Sequence, residues 1–352
     1  MTPTNCCYPN DVTPQWLSDV LVHAGINAKV SDFSMKPIGT GQLGQNIRFE
    51  LQYSEGEGPS SLVGKFASDD PTSRETGIAV NDYLKEVLFY QQLAGSLDVT
   101  LPKIYFSAIR LEQPDEFVIL MQDLSPAVQG DQLLGCDADT ASLAMKELAG
   151  IAGPRWCDPS LKDIAWLSPP PIENASPGEL FDMLMPGFIA RYEDSLSKDH
   201  LELVLSLGKQ FSNYADPEPE IFTIAHIDYR LDNMMFGGPN ELTIVDWAPG
   251  LGSGAGDAAY FMGTGMEAQL RRKDERHLIK EYHDRLLAYN IDNYSFDKCW
   301  LDYRRRSFGG LIMAVIASMI VEQTERGDQM FMTMARRSSD MALELDALEL
   351  LK

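Results

Sequence analysis

The chain has 352 residues, of which 44% are hydrophobic and 23% charged, a globular composition long enough for two domains or for two lobes around one cleft. The 52 Asp and Glu outnumber the 29 Lys and Arg, and the net charge of −23 argues against nucleic acid or an anionic membrane as a partner. The acidity would also suit a cationic substrate, although a surface that favours solubility explains it more simply.

The 5 cysteines, two of them adjacent, follow neither a disulfide framework nor the spacing of metal ligands. The first residues lack a basic segment and an apolar core, so we expect no signal peptide. The longest apolar run, at 311–321, is too short to span a bilayer and predicts a buried helix. We therefore expect a cytoplasmic protein with no membrane contact and no obligate protein partner.

The chain begins with a predicted helix from Thr13, which precedes Pro14 at the first helical position, to Gly25. Three strands follow between 33 and 67, and the first runs to Ile38. The turn after it is rich in glycine and comprises Gly39, Thr40, Gly41, Gln42, Leu43 and Gly44. Such a turn lets backbone N–H groups approach phosphates closely, although a flexible hairpin has the same pattern. It is not a Walker A loop, because no Lys-Ser/Thr pair follows.

Lys65 lies inside the apolar third strand, LVGKFA, where a buried ammonium group needs a partner. Strand alternation could instead point it to solvent. A long helix predicted at 74–94 carries Glu86 beside its apolar stripe, whereas the competing Glu75 precedes the helix body. A Lys–Glu pair that positions the lysine on the phosphates of ATP is part of kinase sites.

Two further strands are predicted at 103–110 and 116–124, separated by the turn LEQPDE. The second strand ends at a natural crossing point between two lobes. Backbone groups of Gln122 and Leu124 could pair there with an adenine edge, although an ordinary strand-to-loop exit fits this segment equally well.

The pattern becomes helical from about residue 137 and is interrupted by a proline-rich loop at 156–178. Ser176 and Pro177 have the residue types of a helix cap and a first helical position, and another helix covers 199–215. Four more helices are predicted at 256–270, 273–290, 295–322 and 330–350.

Residues 221–247 contain the motif with the most specific chemistry. His226, Asp228 and Asn233 form the pattern H-x-D-x-x-x-x-N, and the turn GGPN at 237–240 separates two short apolar runs. The second run ends in Asp246, so a hairpin is expected to bring this carboxylate back to the loop. One carboxylate can orient an attacking hydroxyl, while an amide oxygen and a second carboxylate hold Mg²⁺ on the phosphates. The pattern therefore suits phosphoryl transfer.

The motifs follow one another in the order found in kinases, from the glycine-rich hairpin to I-V-D. With HIDYRLDNMMF, IVDW, GDAAYF and YHDRLLAYNI, the sequence resembles the aminoglycoside phosphotransferase/choline kinase superfamily. It is most similar to the ecdysteroid-kinase-like (CHK kinase-like) branch and its bacterial relatives. The resemblance implies an α+β, bilobal protein-kinase-like fold. A nucleotide-binding lobe with an antiparallel sheet and the N-terminal helix would span 1–122, and a mainly helical lobe with the catalytic loop and substrate pocket would span 123–352.

The resemblance also implies a role for the motif residues. Asp228 would be the catalytic base, and Asn233 and Asp246 would hold Mg²⁺. The residues that would bind ATP, or support its binding, are the turn at 39–44, Lys65, Glu86 and the backbone of Gln122 and Leu124.

Other residues around the motif have supporting roles or depart from the family pattern. Arg230 would contact the γ-phosphate or form a structural ion pair. His226 would shape the loop by packing, and Asp257 would tie the loop to the next helix. Ile227 stands where the superfamily usually has glycine, and GIAG at 150–153 stands where relatives commonly have Leu-His-Ala.

The chain has Asp246-Trp247-Ala248 in place of the protein-kinase D-F-G, and the ten residues 247–256 before Asp257 leave no room for a typical activation loop. Protein-kinase activity is therefore not expected. We expect a small-molecule kinase that uses ATP and Mg²⁺ to phosphorylate a hydroxyl group. The alternatives are a catalytically inactive nucleotide-binding module and a metal-dependent hydrolase that uses His226, Asp228 and Asp246.

The acceptor stays open. Aromatic and Met side chains between 156 and 220 suit a steroid or lipid alcohol, whereas acidic residues there suit an aminosugar or another amine. Packing within a helical core would explain the same residues.

Overall fold

The computed structural model of the protein describes residues 3–39, 43–168, 175–215 and 219–352. The chain forms two compact units. The first comprises Met1–Gly95 and Leu101–Ala127, and the second comprises Ser96–Thr100 and Val128–Lys352. Among the described residues, no helix is both long enough and apolar enough to cross a membrane.

The first unit is built on a five-stranded antiparallel sheet in the order β1-β2-β3-β5-β4. Its strands are β1 Lys29–Ile38, β2 Gly44–Glu55, β3 Ser61–Ala67, β4 Ile104–Arg110 and β5 Gln113–Gln122. Helix α1, Pro14–His23, precedes the sheet, and Thr13 caps it by accepting the backbone N–H of Trp16 at 3.1 Å. Trp16 and Leu17 of α1 pack in one core cluster with Ile47 and Phe49 of β2.

The prediction of a single helix at 74–94 is wrong. The segment forms two helices followed by a π-helical turn. Helix α2 covers Pro71–Ala79, α3 covers Asp82–Leu88, and the π-helical turn covers Phe89–Leu93. Asn81 breaks the helix with a φ of 59°, a left-handed conformation that asparagine tolerates. A Cβ atom on Gly77 would lie 2.5 Å from the Tyr83 ring, so the glycine allows α2 to pack closely against α3.

The turn predicted at LEQPDE is too long, since β5 already begins at Gln113 and includes Pro114. Arg110 pairs with Gln113, which leaves a two-residue connection between β4 and β5. Pro114 is tolerated because the pairing of β5 with β3 starts only at Ile119, so its missing N–H interrupts no bond to β3.

The second unit is mainly helical. Its helices are α4 Ala138–Ala152, α5 Pro177–Tyr192, α6 Lys198–Lys209, α7 Phe211–Tyr214, α8 Gly254–Gly265, α9 Ala268–Leu286, α10 Phe296–Arg305, α11 Gly309–Ile320 and α12 Glu325–Glu344. The predicted cap of α5 is confirmed, because Ser176 and Glu179 form a reciprocal capping box. The predicted loop at 156–178 contains two short 3₁₀ helices, Pro159–Asp163 and Ala165–Leu167, and residues 169–174 lie outside the described part.

Two continuous helices predicted in this unit are each divided in the structure. The segment 199–215 breaks at Gln210 between α6 and α7, and the segment 295–322 breaks between α10 and α11. At the second break, a Cβ atom on Gly310 would lie 2.1 Å from the Ser338 hydroxyl. The glycine thus permits a close approach of α11 to α12, which one straight helix would not provide. The apolar run 311–321 buries one face of α11 and not its whole circumference.

Five short strands complete the second unit and position the motif. They are β6 Val128–Gln129, β7 Thr223–Ala225, β8 Met234–Phe236, β9 Leu242–Ile244 and β10 Gly250–Gly252. The predicted hairpin is confirmed, since β8 and β9 pair antiparallel across a turn in which Gly237 and Gly238 have φ of 74° and 76°. The loop 226–233 therefore leaves β7 and leads directly into this hairpin.

Candidate active site

Asp257 holds the backbone at the start of the loop. It lies in the first turn of α8 and is 4% exposed. Its carboxylate accepts the N–H of His226 at 2.6 Å and that of Ile227 at 3.2 Å. The role predicted for Asp257, to tie the loop to the following helix, is therefore confirmed. Burial raises the pKa of Asp257 to about 7, although the two backbone hydrogen bonds lower it.

Three donors surround the carboxylate of Asp228. The Tyr260 hydroxyl donates to Oδ1 at 2.7 Å, and Arg230 Nε lies 3.0 and 2.9 Å from Oδ1 and Oδ2. The side-chain amide of Asn233 donates to Oδ2 at 2.9 Å. Burial raises the pKa of Asp228, but the charge of Arg230 and the hydrogen bonds from Tyr260 and Arg230 outweigh this effect and hold the pKa below its ordinary value. Asp228 is therefore ionised at neutral pH.

Arg230 forms the ion pair that was one of its two predicted roles. Besides contacting Asp228, its Nη1 donates to Asp232 Oδ2 at 2.6 Å and lies 3.4 Å from the sulfur of Met330. Asp232 is itself fixed, because its Oδ1 accepts the backbone N–H of Gln132 at 2.9 Å. Burial lowers the pKa of Arg230, but the neighbouring carboxylates raise it above its ordinary value, so the guanidinium stays charged.

Asn233 and Asp246 lie near each other along the backbone at the base of the hairpin. The N–H of Val245 donates to the carbonyl of Asn233 at 3.0 Å, so Asp246 lies one residue beyond a direct partner of Asn233. The Asn233 amide nitrogen bonds to the carbonyl and to Oδ2 of Asp228, both at 2.9 Å, which leaves its side-chain oxygen as the potential ligand. Asp246 is exposed and has a φ of 60°. An amide oxygen and a carboxylate are hard oxygen donors, and this donor set fits Mg²⁺.

His226 is a packing residue, as its sequence context predicted. The side chain is fully buried, its Nε2 lies 3.2 Å from the Val245 carbonyl, and its ring lies 4.5 Å from that of Trp247. Burial lowers the pKa of His226, so the ring is neutral at neutral pH. Within the described ranges, no group of three or more His, Cys, Asp or Glu side chains has the arrangement of a metal site.

Lys65 and Glu86 form the predicted ion pair in the first unit. Lys65 Nζ lies 2.5 Å from Glu86 Oε2, and the two side chains are only 7% and 2% exposed. The alternatives, a solvent-facing Lys65 and a pair with Glu75, are not what the structure shows. A buried pair of this kind keeps the ammonium group in one place on β3.

The glycine-rich turn is described only at its two ends. Thr40, Gly41 and Gln42 lie outside the described residues. Gly39 has a φ of 74°, and a Cβ atom on Gly44 would lie 3.3 Å from Cε of Lys65. Glycine at the end of the turn therefore leaves space beside the lysine side chain. The carbonyl of Leu43 accepts the Tyr83 hydroxyl at 2.5 Å, which ties the same end of the turn to α3.

The exit of β5 is held by Asp123, a residue that the sequence did not single out. It accepts Ser61 Oγ at 2.7 Å and the backbone N–H of Ser125 at 3.0 Å, and Arg48 Nε lies 2.7 Å from it. Burial raises the pKa of Asp123, but these hydrogen bonds outweigh it and lower the pKa. A carboxylate directly after the apolar run FVILMQ is the signal that could have revealed it.

Gln122 and Leu124, on either side of Asp123, already make local backbone bonds. The N–H of Gln122 donates to the carbonyl of Lys103, and the carbonyl of Leu124 accepts the N–H of Ala127, both at 2.8 Å. The Gln122 N–H and the Leu124 carbonyl are therefore already satisfied within the protein.

Tyr260 is the second residue that sequence reasoning missed. It lies three residues after Asp257 in GDAAYF, and residues at this spacing share one face of a helix. The spacing was visible in the sequence, but the partner of the hydroxyl was not. The missed Gln132 also supports the loop, because its side-chain oxygen accepts the N–H of Leu231 at 3.0 Å.

The antiparallel sheet, the helical second unit and the loop with its hairpin define the protein-kinase-like fold of the aminoglycoside phosphotransferases. Residues 179–292 match the model of the ecdysteroid kinase-like family, which confirms the resemblance predicted from the motifs. This segment contains both the loop and the hairpin. No curated protein matches the sequence.

Two solved structures show the same fold. Spectinomycin phosphotransferase in complex with ADP and spectinomycin is 15% identical, with 97% of this chain and 100% of that chain covered and a TM-score of 0.52. A mutant of aminoglycoside 2′-phosphotransferase-IIIa in complex with GDP is 12% identical, with 96% and 97% covered and a TM-score of 0.50. At these identities the likeness concerns the fold alone.

Proposed function

We propose that this protein is a small-molecule kinase that moves the γ-phosphate of ATP to a hydroxyl group. The observation that carries the proposal is the state of Asp228. An ionised carboxylate has about four acceptor positions, and three donors already surround this one. Because one of these donors, Arg230 Nε, is shared between the two oxygens, a substrate hydroxyl would take over part of this shared contact. The Asp228 side chain is 25% exposed, so a substrate can reach it.

Asp228 acts by orienting the acceptor. Its carboxylate accepts a hydrogen bond from the acceptor hydroxyl and aims the oxygen at the γ-phosphorus. The new bond joins that oxygen to phosphorus, the bond from phosphorus to the β–γ bridging oxygen breaks, and its electron pair leaves with ADP. The hydroxyl proton passes to Asp228 late in the step, because a loose transition state requires little base strength. A low pKa is compatible with this role.

The first unit would hold the nucleotide. Lys65 is fixed by Glu86 and would contact the α- and β-phosphates, as in kinase sites. Backbone N–H groups of the turn at 39–44 would approach the phosphates where glycine leaves room. The backbone of Gln122 and Leu124 would contact the base. These roles are supported by the resemblance and, for Lys65 and Gly44, by the local geometry.

Asn233 and Asp246 would hold Mg²⁺ through oxygen atoms. Bound Mg²⁺ would neutralise charge on the β- and γ-phosphate oxygens. Arg230 stays charged between Asp228 and Asp232, so its first role is to fix Asp228. The guanidinium would also offer Nη2 to the γ-phosphate, since its hydrogen bonds to the described residues use Nε and Nη1.

The two alternative functions have less support. The hydrolase would need His226 as a ligand, yet this ring is fully buried between neighbouring aromatic residues. The inactive module would not need an ionised Asp228 beside the candidate metal ligands, nor a buried Lys65–Glu86 pair.

The test is a screen for phosphoryl transfer. Purified protein with Mg·ATP is incubated with hydroxylated metabolites, lipid alcohols, amines and aminosugars, and the products are identified by mass spectrometry. We expect one class of acceptor to gain a phosphate, and Asp228→Asn to abolish turnover while nucleotide binding persists. Tight nucleotide binding without transfer to any acceptor would favour the inactive module. A metal that binds through His226 without nucleotide would favour the hydrolase.

A further inference from the structure

Tyr260 is the donor to Asp228 that belongs to a different element. Arg230 and Asn233 lie in the same loop as Asp228, so they move with it. Among the described residues, Tyr260 is the one hydrogen-bond donor to this carboxylate that lies outside 226–233. It therefore fixes the side chain relative to α8, which the two loop donors cannot do.

Helix α8 binds the loop through two of its side chains. Asp257 binds the backbone at His226 and Ile227, and Tyr260, one helical turn later, binds the side chain of Asp228. Residues three apart lie on one face of a helix, so both anchors face the loop. An anchor on a rigid helix holds a functional group more accurately than one on a loop.

The Tyr260 ring is itself held firmly. It is 4% exposed and belongs to a core cluster of the helical unit, together with Phe308 and Leu311. A Cβ atom on Gly309 would lie 3.7 Å from the ring, so the backbone of α11 also passes close to it. The hydroxyl is thus presented to Asp228 from a packed position with little freedom to move.

We infer that Tyr260 is a positioning residue of the proposed phosphotransfer site, which aims the Asp228 carboxylate at the acceptor hydroxyl. This inference rests on the proposed function. Without the Tyr260 hydroxyl, Arg230 and Asn233 still bind Asp228 and Asp257 still holds the loop backbone, but the carboxylate loses the hydrogen bond that fixes its own orientation relative to α8. A displacement of about 1 Å at a reacting group can lower the rate about 100-fold.

The experiment compares Tyr260→Phe with Tyr303→Phe. Tyr303 is a suitable control because it is also buried and also donates to a carboxylate, Glu275 Oε2 at 3.0 Å. The probe is Mg·ATP, first with water as the phosphoryl acceptor and then with the acceptor found by the screen. We expect Tyr260→Phe to lower kcat by about 10- to 100-fold, with the Kd for ADP unchanged. Tyr303→Phe should keep the wild-type kcat. Equal rates in Tyr260→Phe and wild type, or equal losses in both variants, would overturn the inference.

Rescue separates positioning from a general loss of structure. Replacing Tyr260 by 4-aminophenylalanine keeps a donor of similar size, whereas 4-fluorophenylalanine does not. The variant with 4-aminophenylalanine should restore kcat, and the variant with 4-fluorophenylalanine should not. This comparison also tests the positioning role if Tyr260→Phe does not fold.

A measurement without turnover distinguishes failure of this inference from failure of the proposed function. If wild type transfers no phosphate, the proposed function fails. The ¹³C resonance of the Asp228 carboxyl, assigned with Asp228→Asn, is then compared in wild type and Tyr260→Phe at one mildly alkaline pH. A shift of this resonance in Tyr260→Phe but not in Tyr303→Phe supports the positioning contact, and an unchanged resonance overturns it.

Discussion

Ile227 donates its backbone N–H to Asp257 Oδ1 at 3.2 Å while its own φ is 71°. A β-branched residue is strained in this left-handed conformation, whereas glycine is not. The side chain is 40% exposed and passes over Gly250, where an added Cβ would lie 3.3 Å from it. Asp257 therefore holds the loop in a conformation that its sequence does not favour. The family pattern has glycine at this position, and glycine is the residue type that adopts a positive φ without strain.

The first prediction concerns the order of stability at this position. Both Ile227→Ala and Ile227→Gly lose the packing of the side chain beyond Cβ, but only glycine relieves the strain of about 1–2 kcal/mol. We expect Ile227→Gly to be more stable than Ile227→Ala by about 1 kcal/mol in denaturant unfolding. Ile316, a partly buried residue of α11, is the control, and there glycine should be less stable than alanine by about 1 kcal/mol. The same order at both positions would show that Ile227 carries no strain.

Asp257 should make stability depend on pH. Its pKa is raised to about 7 in the folded protein by burial and by the charge of Asp228, whereas an unfolded Asp titrates near about 3.9. Between these values the folded state keeps a proton that the unfolded state releases, so the contribution is present at low pH and is lost as the pH rises through about 7.

The comparison is between wild type and Asp257→Asn, which cannot titrate at this position. We expect the unfolding free energy of wild type, relative to the variant, to fall as the pH rises from about 4 to about 7. A relative stability that stays constant or rises over this range would contradict a raised pKa.

The features that the sequence predicted correctly depend on local spacing. The loop and hairpin at 226–246 follow from neighbouring residues, and the Lys65–Glu86 pair follows from a lysine inside an apolar strand and from one helical stripe. The breaks at Asn81 and at 306–308 were missed because apolar periodicity continues across them, while packing partners decide where the helix ends. Tyr260 and Asp123 were missed because their function depends on partners distant in sequence.

Gly44 should be important for nucleotide binding. An added Cβ would lie 3.3 Å from Cε of Lys65 and 3.1 Å from the Phe66 carbonyl, so Gly44→Ala displaces the lysine side chain. We expect the Kd for ATP, measured by calorimetry, to rise about tenfold, equivalent to about 1.4 kcal/mol. Gly95→Ala is the matched control in the same unit, because no atom lies within 4 Å of its added Cβ. An unchanged Kd in Gly44→Ala would remove Gly44 from the nucleotide site.

The last prediction concerns the metal. Asn233 is 3% exposed, and its amide nitrogen is bound by Asp228, so its side-chain oxygen is the group left for Mg²⁺. Asn233→Ala removes this ligand and also the bond to Asp228. We expect the variant to bind Mn²⁺, used as a probe for Mg²⁺ in the presence of ADP, at least about tenfold more weakly by electron paramagnetic resonance.

Asn240→Ala is the control for that measurement. Asn240 lies in the turn of the same hairpin, and its amide donates to Thr243 Oγ1 at 3.2 Å. Its removal perturbs the hairpin without removing an oxygen next to Asp228. Asn240→Ala should therefore bind Mn²⁺ as wild type does, because the hairpin base at Asn233 and Val245 is unchanged. If both variants lose the metal equally, the hairpin and not the Asn233 oxygen is responsible. If neither loses it, Asn233 is not a ligand and the metal is held by other groups.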